Sequence, residues 1–389
     1  MLAATVRVTR DLDAAEEAVQ EAYVQALGAW ERDGVPDKPG AWLTTVARRI
    51  ALNALRRAGT LERKLPLLLE PEEDDVPAED PFPDDRLRLV FTCCHPALAQ
   101  EAQIALTLRL VCGVPTADIA HAFLVQETTM AARLTRAKKK IATARIPYAV
   151  PATEELPARV DTALSVVHLL YATGHAAPTG PDLVRDELTA RALDLARMLF
   201  ALLPREREAA GLLALLLAHE ARRATRADAA GRPQRLEEQD RARWDAAMIA
   251  EADRLIVRAL EAGPPGRFTL QAAIAALHAQ APSYDATDWP QILELYDALL
   301  ARWASPVVAL NRAVAVAMVD GPAPALAEVE ALVRDGRLED YRYLHVTRAD
   351  LLSRLGRDRE AAAAYRRALA LADNAAEQEL LAERLAALR

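Results

Sequence analysis

The residues with the clearest chemical potential in this 389-residue chain are cations. From Arg133 to Lys140 there are five (Arg133, Arg136, Lys138, Lys139, Lys140) and no acid. From Arg48 to Arg57 there are four (Arg48, Arg49, Arg56, Arg57), again with no acid. On one helix face such runs meet phosphates, and Thr or Asn side chains among them can reach base edges. For either run taken alone, an ordinary solvated basic helix surface is the simpler alternative. Catalytic chemistry finds less support. His219 and Glu220 begin an H-E-x-x pattern, but Arg223 stands where a zinc protease needs its second His. Cys93, Cys94 and His95 lack a second ligand pair, so buried thiols are expected rather than a metal. The GPPGRF stretch over 263–268 reads as a helix connector, and His168, His175 and His278 read as scattered packing or surface residues. The Trp/Asp segment over 285–289 is explained most simply by a helix capped at Asp288. No catalytic residue, cofactor or metal is expected, and the chain is not expected to be an enzyme.

The cations need elements to position them. Ile119, Ala120 and Phe123 form the apolar face of one short helix, Leu124 and Val125 a turn, and Met130, Leu134, Ala137 and Ile141 the apolar face of the next. Two short helices joined by a tight turn make a helix-turn-helix. The second helix then presents Thr128, Thr129, Ala132, Arg133, Thr135, Arg136, Lys138 and Lys139 away from its stripe. Nearer the start, an amphipathic helix runs from Leu12 to Trp30, with Ala18, Val19, Ala22, Tyr23, Ala26 and Leu27 at helical spacing. After a loop over 34–40, a helix from about Ala41 to Arg57 keeps Trp42, Val46, Ile50 and Leu55 near one face.

Breaks between these elements set the domain organisation. Nine acids, no cation and four prolines fall between Glu70 and Asp85, predicting an acidic Pro-rich linker over 58–86. Prolines at 147, 151 and 157 predict a second linker over 147–157. The body beyond alternates helices with Pro/Gly connections. Near its end Gly321 and Gly356 lie 35 residues apart, and Leu352, Gly356, Ala361, Tyr365 and Ala368 match the spacing of a tetratricopeptide unit. His345 stands where that unit expects a large aromatic.

Composition narrows the class. At 52% hydrophobic, 27% charged and net −8, the chain is neither disordered throughout nor a generic basic nucleic-acid coat. Only 14 Gly among many Ala, Leu, Arg and Glu favour helix. Three Cys make no disulfide framework, the first residues turn charged at once, and the longest apolar stretch, Leu212 to Ala218, is far below the ~20 residues of a membrane span. A cytoplasmic protein without membrane partners is expected.

Two segments now resemble one family. Asp118–Ala120 (DIA) and Thr129–Lys138 (TMAARLTRAK) resemble region 4, the −35-reading domain, of extracytoplasmic-function (ECF) sigma factors of the sigma-70 family. Asp11–Tyr23 (DLDAAEEAVQEAY) and Trp42–Arg57 (WLTTVARRIALNALRR) resemble the two region 2 helices that dock on the polymerase clamp and open the −10 element. The segments EQDRARWD (238–245), LQAAIAALHA (270–279) and SPVVALNRAVAVA (305–317) are similar to a subgroup with a long C-terminal tetratricopeptide-like extension. The resemblance spans nearly the whole chain.

The resemblance implies an all-α protein: a region 2-like domain over 1–57, a region 4-like domain over 87–146 and a helical extension over 158–389. The family has a further helix before Asp11, for which this chain offers about ten residues, so the first domain is expected to be shortened. Core RNA polymerase (clamp and flap) and promoter DNA are the implied partners, with a regulatory protein or ligand on the extension. Asp13, Glu16, Glu17, Gln20 and Glu21 would face the polymerase. Arg48, Arg49, Asn53, Arg56 and Arg57 would hold the −10 strand, with Trp42 in the core. On the recognition helix Thr128, Thr129, Ala131, Ala132, Arg133, Thr135, Arg136, Lys138 and Lys139 would meet the −35 element; Ala131 and Ala132 replace larger polar readers, so base contacts lean on Thr135 and Arg136. Two other readings stay open: a helix-turn-helix regulator acting without polymerase through a sensor tail, and a purely structural repeat scaffold.

Overall fold

The computed structural model describes residues 1–62, 85–123, 125–151, 154–175, 185–228 and 232–388. The acidic linker expected over 58–86 falls mostly outside them, as does Leu124 of the expected turn. The protein is all-α: 18 α-helices and two short 3-10 turns, with no strand among the described residues beyond one isolated bridge, Ala227 to Pro233. No described helix is long and apolar enough to cross a membrane. The chain divides into two compact units, Met1–Val166 and Val167–Arg389.

Unit 1 opens with α1 (Leu2–Thr9), α2 (Leu12–Asp33) and α3 (Pro39–Glu62). α1 supplies a helix before Asp11 and ends at Arg10, which takes a left-handed φ of 52°. Asp11 caps α2, its side chain accepting from the Ala14 N–H at 2.8 Å. The buried stripe of α2 is Leu12, Ala15, Ala18, Ala22 and Ala26. These small side chains let α2 lie close to α3, whose Leu43, Val46 and Ala47 share their core with Trp30 and Trp42, ring centroids 5.6 Å apart. Tyr23 and Leu27, expected on that apolar face, are 51% and 74% exposed. Leu55 likewise lies off the core face of α3, at 43% exposed. Alanine spacing, not bulk, decides which side of α2 packs.

The rest of unit 1 is α4 (Asp85–Cys93), α5 (Gln100–Leu110), α6 (Thr116–Ala122), α7 (Glu127–Thr143) and the first turns of α8 (Leu156–His175). Ile119 and Ala120 on α6 and Met130, Leu134, Ala137 and Ile141 on α7 are all buried, so the helix-turn-helix closes on the faces its spacing predicts. Arg159 of α8, buried on α4, donates to the Phe91 carbonyl at 3.1 Å, and Ala163 packs against Val90 and Cys94.

Unit 2 continues α8 and adds α9 (Asp186–Leu202), α10 (Arg207–Glu220), α11 (Ala246–Glu261), α12 (Arg267–Gln280), α13 (Trp289–Arg302) and α14 (Pro306–Val319). α15 (Pro322–Asp335), α16 (Arg342–Arg354), α17 (Asp358–Ala370) and α18 (Ala375–Ala387) follow. α10 is its axis, buried without interruption from Ala209 to Ala218. A Cβ at Gly211 would come within 2.6 Å of the Thr269 amide nitrogen, so glycine is what lets α10 and α12 touch. Glu208 then caps α12, accepting from the Phe268 N–H at 2.7 Å. Asp288 caps α13 through the Gln291 N–H. Gly321 and Gly356, at φ 93° and 70°, break the chain between α14 and α15 and between α16 and α17. Leu352, Ala361, Tyr365 and Ala368 are buried across α16 and α17, and His345 is partly buried.

Candidate nucleic-acid interface

α3 displays its cations on an exposed face. Arg48, Arg49, Asn53, Arg56 and Arg57 are all exposed, and the only acid in the helix is Glu62 at its end. Trp42, half-buried against Trp30, belongs to the core rather than to this face. Four cations over less than three turns form a surface able to track a phosphate backbone.

α7 divides its expected readers between two faces. Thr128, Thr129, Ala132, Arg136, Lys139 and Lys140 are exposed. Ala131 and Thr135, also exposed, and the half-buried Lys138 line a cavity of about 390 Å³ together with Asp13, Glu16, Glu17 and Gln20 of α2. The Thr135 hydroxyl donates to the Ala131 carbonyl at 3.0 Å. Arg133 is turned inward, paired with Glu101 at 2.8 Å and lying over the Phe123 ring.

Lys138 bridges the cavity. Its ammonium donates to Asp13 at 2.5 Å and to Glu16 at 2.8 Å. Burial pulls its pKa down, but the two carboxylates more than offset this and hold it above the ordinary lysine range. Other polar ties join the same parts of unit 1. Arg7 approaches Asp85 at 3.7 Å, and the Tyr148 hydroxyl sits 2.8 Å from both the Ala3 and Asp85 carbonyls, able to donate to one at a time. Two of the acids expected to face a polymerase and one cation expected to face DNA are therefore engaged with each other. Glu17, Gln20 and Glu21 remain at least partly exposed.

α2 also carries a feature that sequence periodicity missed. Tyr23, Val24 and Leu27 (51%, 62% and 74% exposed) continue the line of Asp13, Glu16, Glu17 and Gln20 along the helix. Their spacing of three and four residues was the available signal, but it read as core. The result is one surface stripe, acidic at its start and apolar at its end.

The residues considered for catalysis sit elsewhere. Cys93, Cys94 and Cys112 are buried free thiols, and burial pushes the Cys94 thiol up to about 12. Among the described residues no group of three His, Cys, Asp or Glu is arranged to hold a metal ion. His168, His175 and His278, read as scattered, instead lie together with His219 inside unit 2. His175 and His219 rings are 5.3 Å apart, and both His168 and His175 bear on His219, whose pKa is held well below its ordinary value chiefly by burial.

Comparison with known proteins agrees with the arrangement of unit 1. The sigma-70 region 2 family matches residues 2–60, so it takes in α1, and the sigma-70 region 4 family matches residues 88–141. A family of unknown function (DUF6596) matches residues 159–260. An uncharacterized protein of Rhizobium meliloti (strain 1021) is 44% identical over 383 residues, covering 97% of this chain and 90% of that protein. Region 2 and region 4 together imply interaction with core RNA polymerase and promoter DNA, and support a role in promoter recognition. The chain belongs to the sigma-70 family as a sigma factor of the ECF type, carrying a C-terminal helical extension.

Proposed function

We propose that this protein binds core RNA polymerase, directs it to −10 and −35 promoter elements, and is regulated by its C-terminal extension. The observation that carries the reading is the α2 stripe, because it lies on a region 2 helix and joins acids to exposed Tyr23, Val24 and Leu27. Free surfaces rarely expose such apolar neighbours without a partner. In this reading Glu17, Gln20 and Glu21 meet basic groups of the clamp, and Asp13 and Glu16 join them once Lys138 lets go. α3 holds the −10 strand through Arg48, Arg49, Asn53, Arg56 and Arg57. Arg136, Lys139, Ala132 and the threonines at 128 and 129 meet the −35 element, Ala131, Thr135 and Lys138 join them once α2 and α7 separate, and Arg133 follows on leaving Glu101. The activity is dissociable binding rather than catalysis, exercised in the cytoplasm.

The extension acts as a tetratricopeptide-like regulatory body that takes a protein or ligand. What supports this is that unit 2 has hydrophobic cores of its own, such as the one shared by α14, α15 and α16, so it can respond to a signal without rebuilding the DNA-facing helices. A chain ending after α8 keeps Arg159 and Ala163 on α4, and its transcription rate or core affinity is expected to differ from the full chain; equal values count against regulation by the extension.

Core binding is tested by replacing Tyr23 and Leu27 with serine. Removing these apolar side chains is expected to weaken core polymerase binding at least about tenfold, roughly 1.4 kcal/mol, with the melting curve unchanged. Core binding at the full level would remove the α2 stripe from the interface.

A further inference from the structure

Unit 2 holds an unusual concentration of positive charge inside. Arg222 follows α10 and is largely buried; its guanidinium donates to His219 Nδ1 at 3.1 Å and lies over the Trp244 ring at 5.7 Å. Arg241 lies over the same ring at 4.7 Å and donates to the His278 carbonyl at 2.5 Å. Among the described residues no carboxylate comes within ion-pair distance of either arginine. The nearby Glu220 is taken by Arg223 at 2.6 Å and by the Tyr171 hydroxyl at 3.2 Å. Arg222 Nε, Arg241 Nη2 and His278 Nδ1 are buried without a hydrogen-bond partner. Burial, with Arg226 and Arg241 close by, pulls Arg222 down to about 10, and burial, with Arg222 and Arg241, pulls His278 down to about 4.

A buried guanidinium with no carboxylate is costly, and natural folds keep one where an anion compensates it. Here the cation is on a cavity wall. A cavity of about 310 Å³ is lined by Arg222, His219, His278, Gln271, Asn311 and Tyr296, with aliphatic side chains making up the rest. Guanidinium is donor only, so His219 must accept at Nδ1 and keep its proton on Nε2, ready to donate. Cation, imidazole and two amides suit the oxygens of an anion; the aliphatic wall and the Tyr296 ring suit an apolar body.

We infer that this cavity is a binding site for a small organic carboxylate with an apolar body, anchored on Arg222. The site stands apart from the sigma-factor reading, because its occupancy is measurable with no polymerase or DNA present. It also gives His219, which catalysis leaves unused, a role in binding.

Isothermal titration calorimetry on the full chain with benzoate and hexanoate, set against benzamide, hexanamide and inorganic phosphate, tests the inference. A carboxylate is expected to bind at one site and raise the melting temperature, while its amide and phosphate bind at least about tenfold more weakly. Arg222→Met is expected to weaken carboxylate binding at least about thirtyfold while leaving the unliganded melting temperature equal or higher, since it removes a buried charge. Should that variant fail to fold, Asn311→Leu removes one of the two amides with Arg222 in place and is expected to weaken carboxylate binding at least about tenfold. Absence of carboxylate binding at millimolar concentration, equal binding of the amides, preferential binding of phosphate, or unchanged binding to Asn311→Leu would each overturn the inference.

Discussion

The two units treat positive charge in opposite ways. Unit 1 buries Arg159 but keeps two runs of cations in solvent: Arg48, Arg49, Arg56 and Arg57 on α3, and Arg136, Lys139 and Lys140 on α7. Unit 2 draws Arg222, His219 and His278 inside. A surface cation costs the fold little and gains by displacing the counterions of a polyanion, so its signature is salt dependence. A buried basic group is held at the expense of stability, so its signature is pH dependence and selectivity for a ligand of matching size. On the proposed reading, one chain offers a face for a polymer and an interior for a small molecule.

The largest effect that could break this comparison is on α3. Replacing Arg48, Arg49, Arg56 and Arg57 together with glutamine is expected to abolish promoter opening, seen by permanganate footprinting. The salt slope of single-strand binding should fall by about 3, near 0.7 for each phosphate left without its cation. An unchanged slope would remove α3 from the nucleic-acid face.

Acid probes the other half. His168 and His278 are held at about 4 in the fold, in each case chiefly by burial. The unfolded chain titrates them near 6.5, so between these values it binds more protons than the native state. Their contribution is present above about pH 6.5 and lost as pH falls towards about 4, a loss on the order of a few kcal/mol. Thermal melts followed by circular dichroism from pH 7 to 4 should show the unit 2 transition falling over that window. A transition that stays level would mean these histidines are not buried as neutral groups.

Smaller effects sharpen the division within α7. Arg136→Ala is expected to weaken −35 binding by about 1–3 kcal/mol and relax preference at one base position. Unchanged promoter preference would take Arg136 out of the base-reading set. Lys138→Ala frees Asp13 and Glu16 and should raise core affinity, measured without DNA, by about fivefold at most, since partly exposed ion pairs contribute about 1 kcal/mol or less. A fall in that affinity would mean that Lys138 assists polymerase binding rather than competing with it.

Local periodicity carried much of the fold. Met130, Leu134, Ala137 and Ile141 recur at helical spacing and all are buried, because a short helix leaves one stripe to cover. α2 offered two overlapping stripes, alanines and larger apolar residues, and periodicity alone does not rank them. Close approach to α3 favoured the alanines and left Tyr23 and Leu27 outside. Which cations of α7 are engaged was illegible for a different reason: Lys138 meets acids some 125 residues earlier in the chain. The histidine cluster is the extreme case, since its members come from α8, α10 and α12 and share no local spacing. Sequence pattern locates faces; long-range packing decides what each face meets.

Run-off transcription with purified core polymerase, the full-length protein and a promoter library tests the central claim most directly. The protein is expected to bind core and move transcription to start sites sharing a −10 and a −35 element. Core polymerase that is neither bound nor redirected would contradict the claim and leave a helix-turn-helix regulator that works without polymerase.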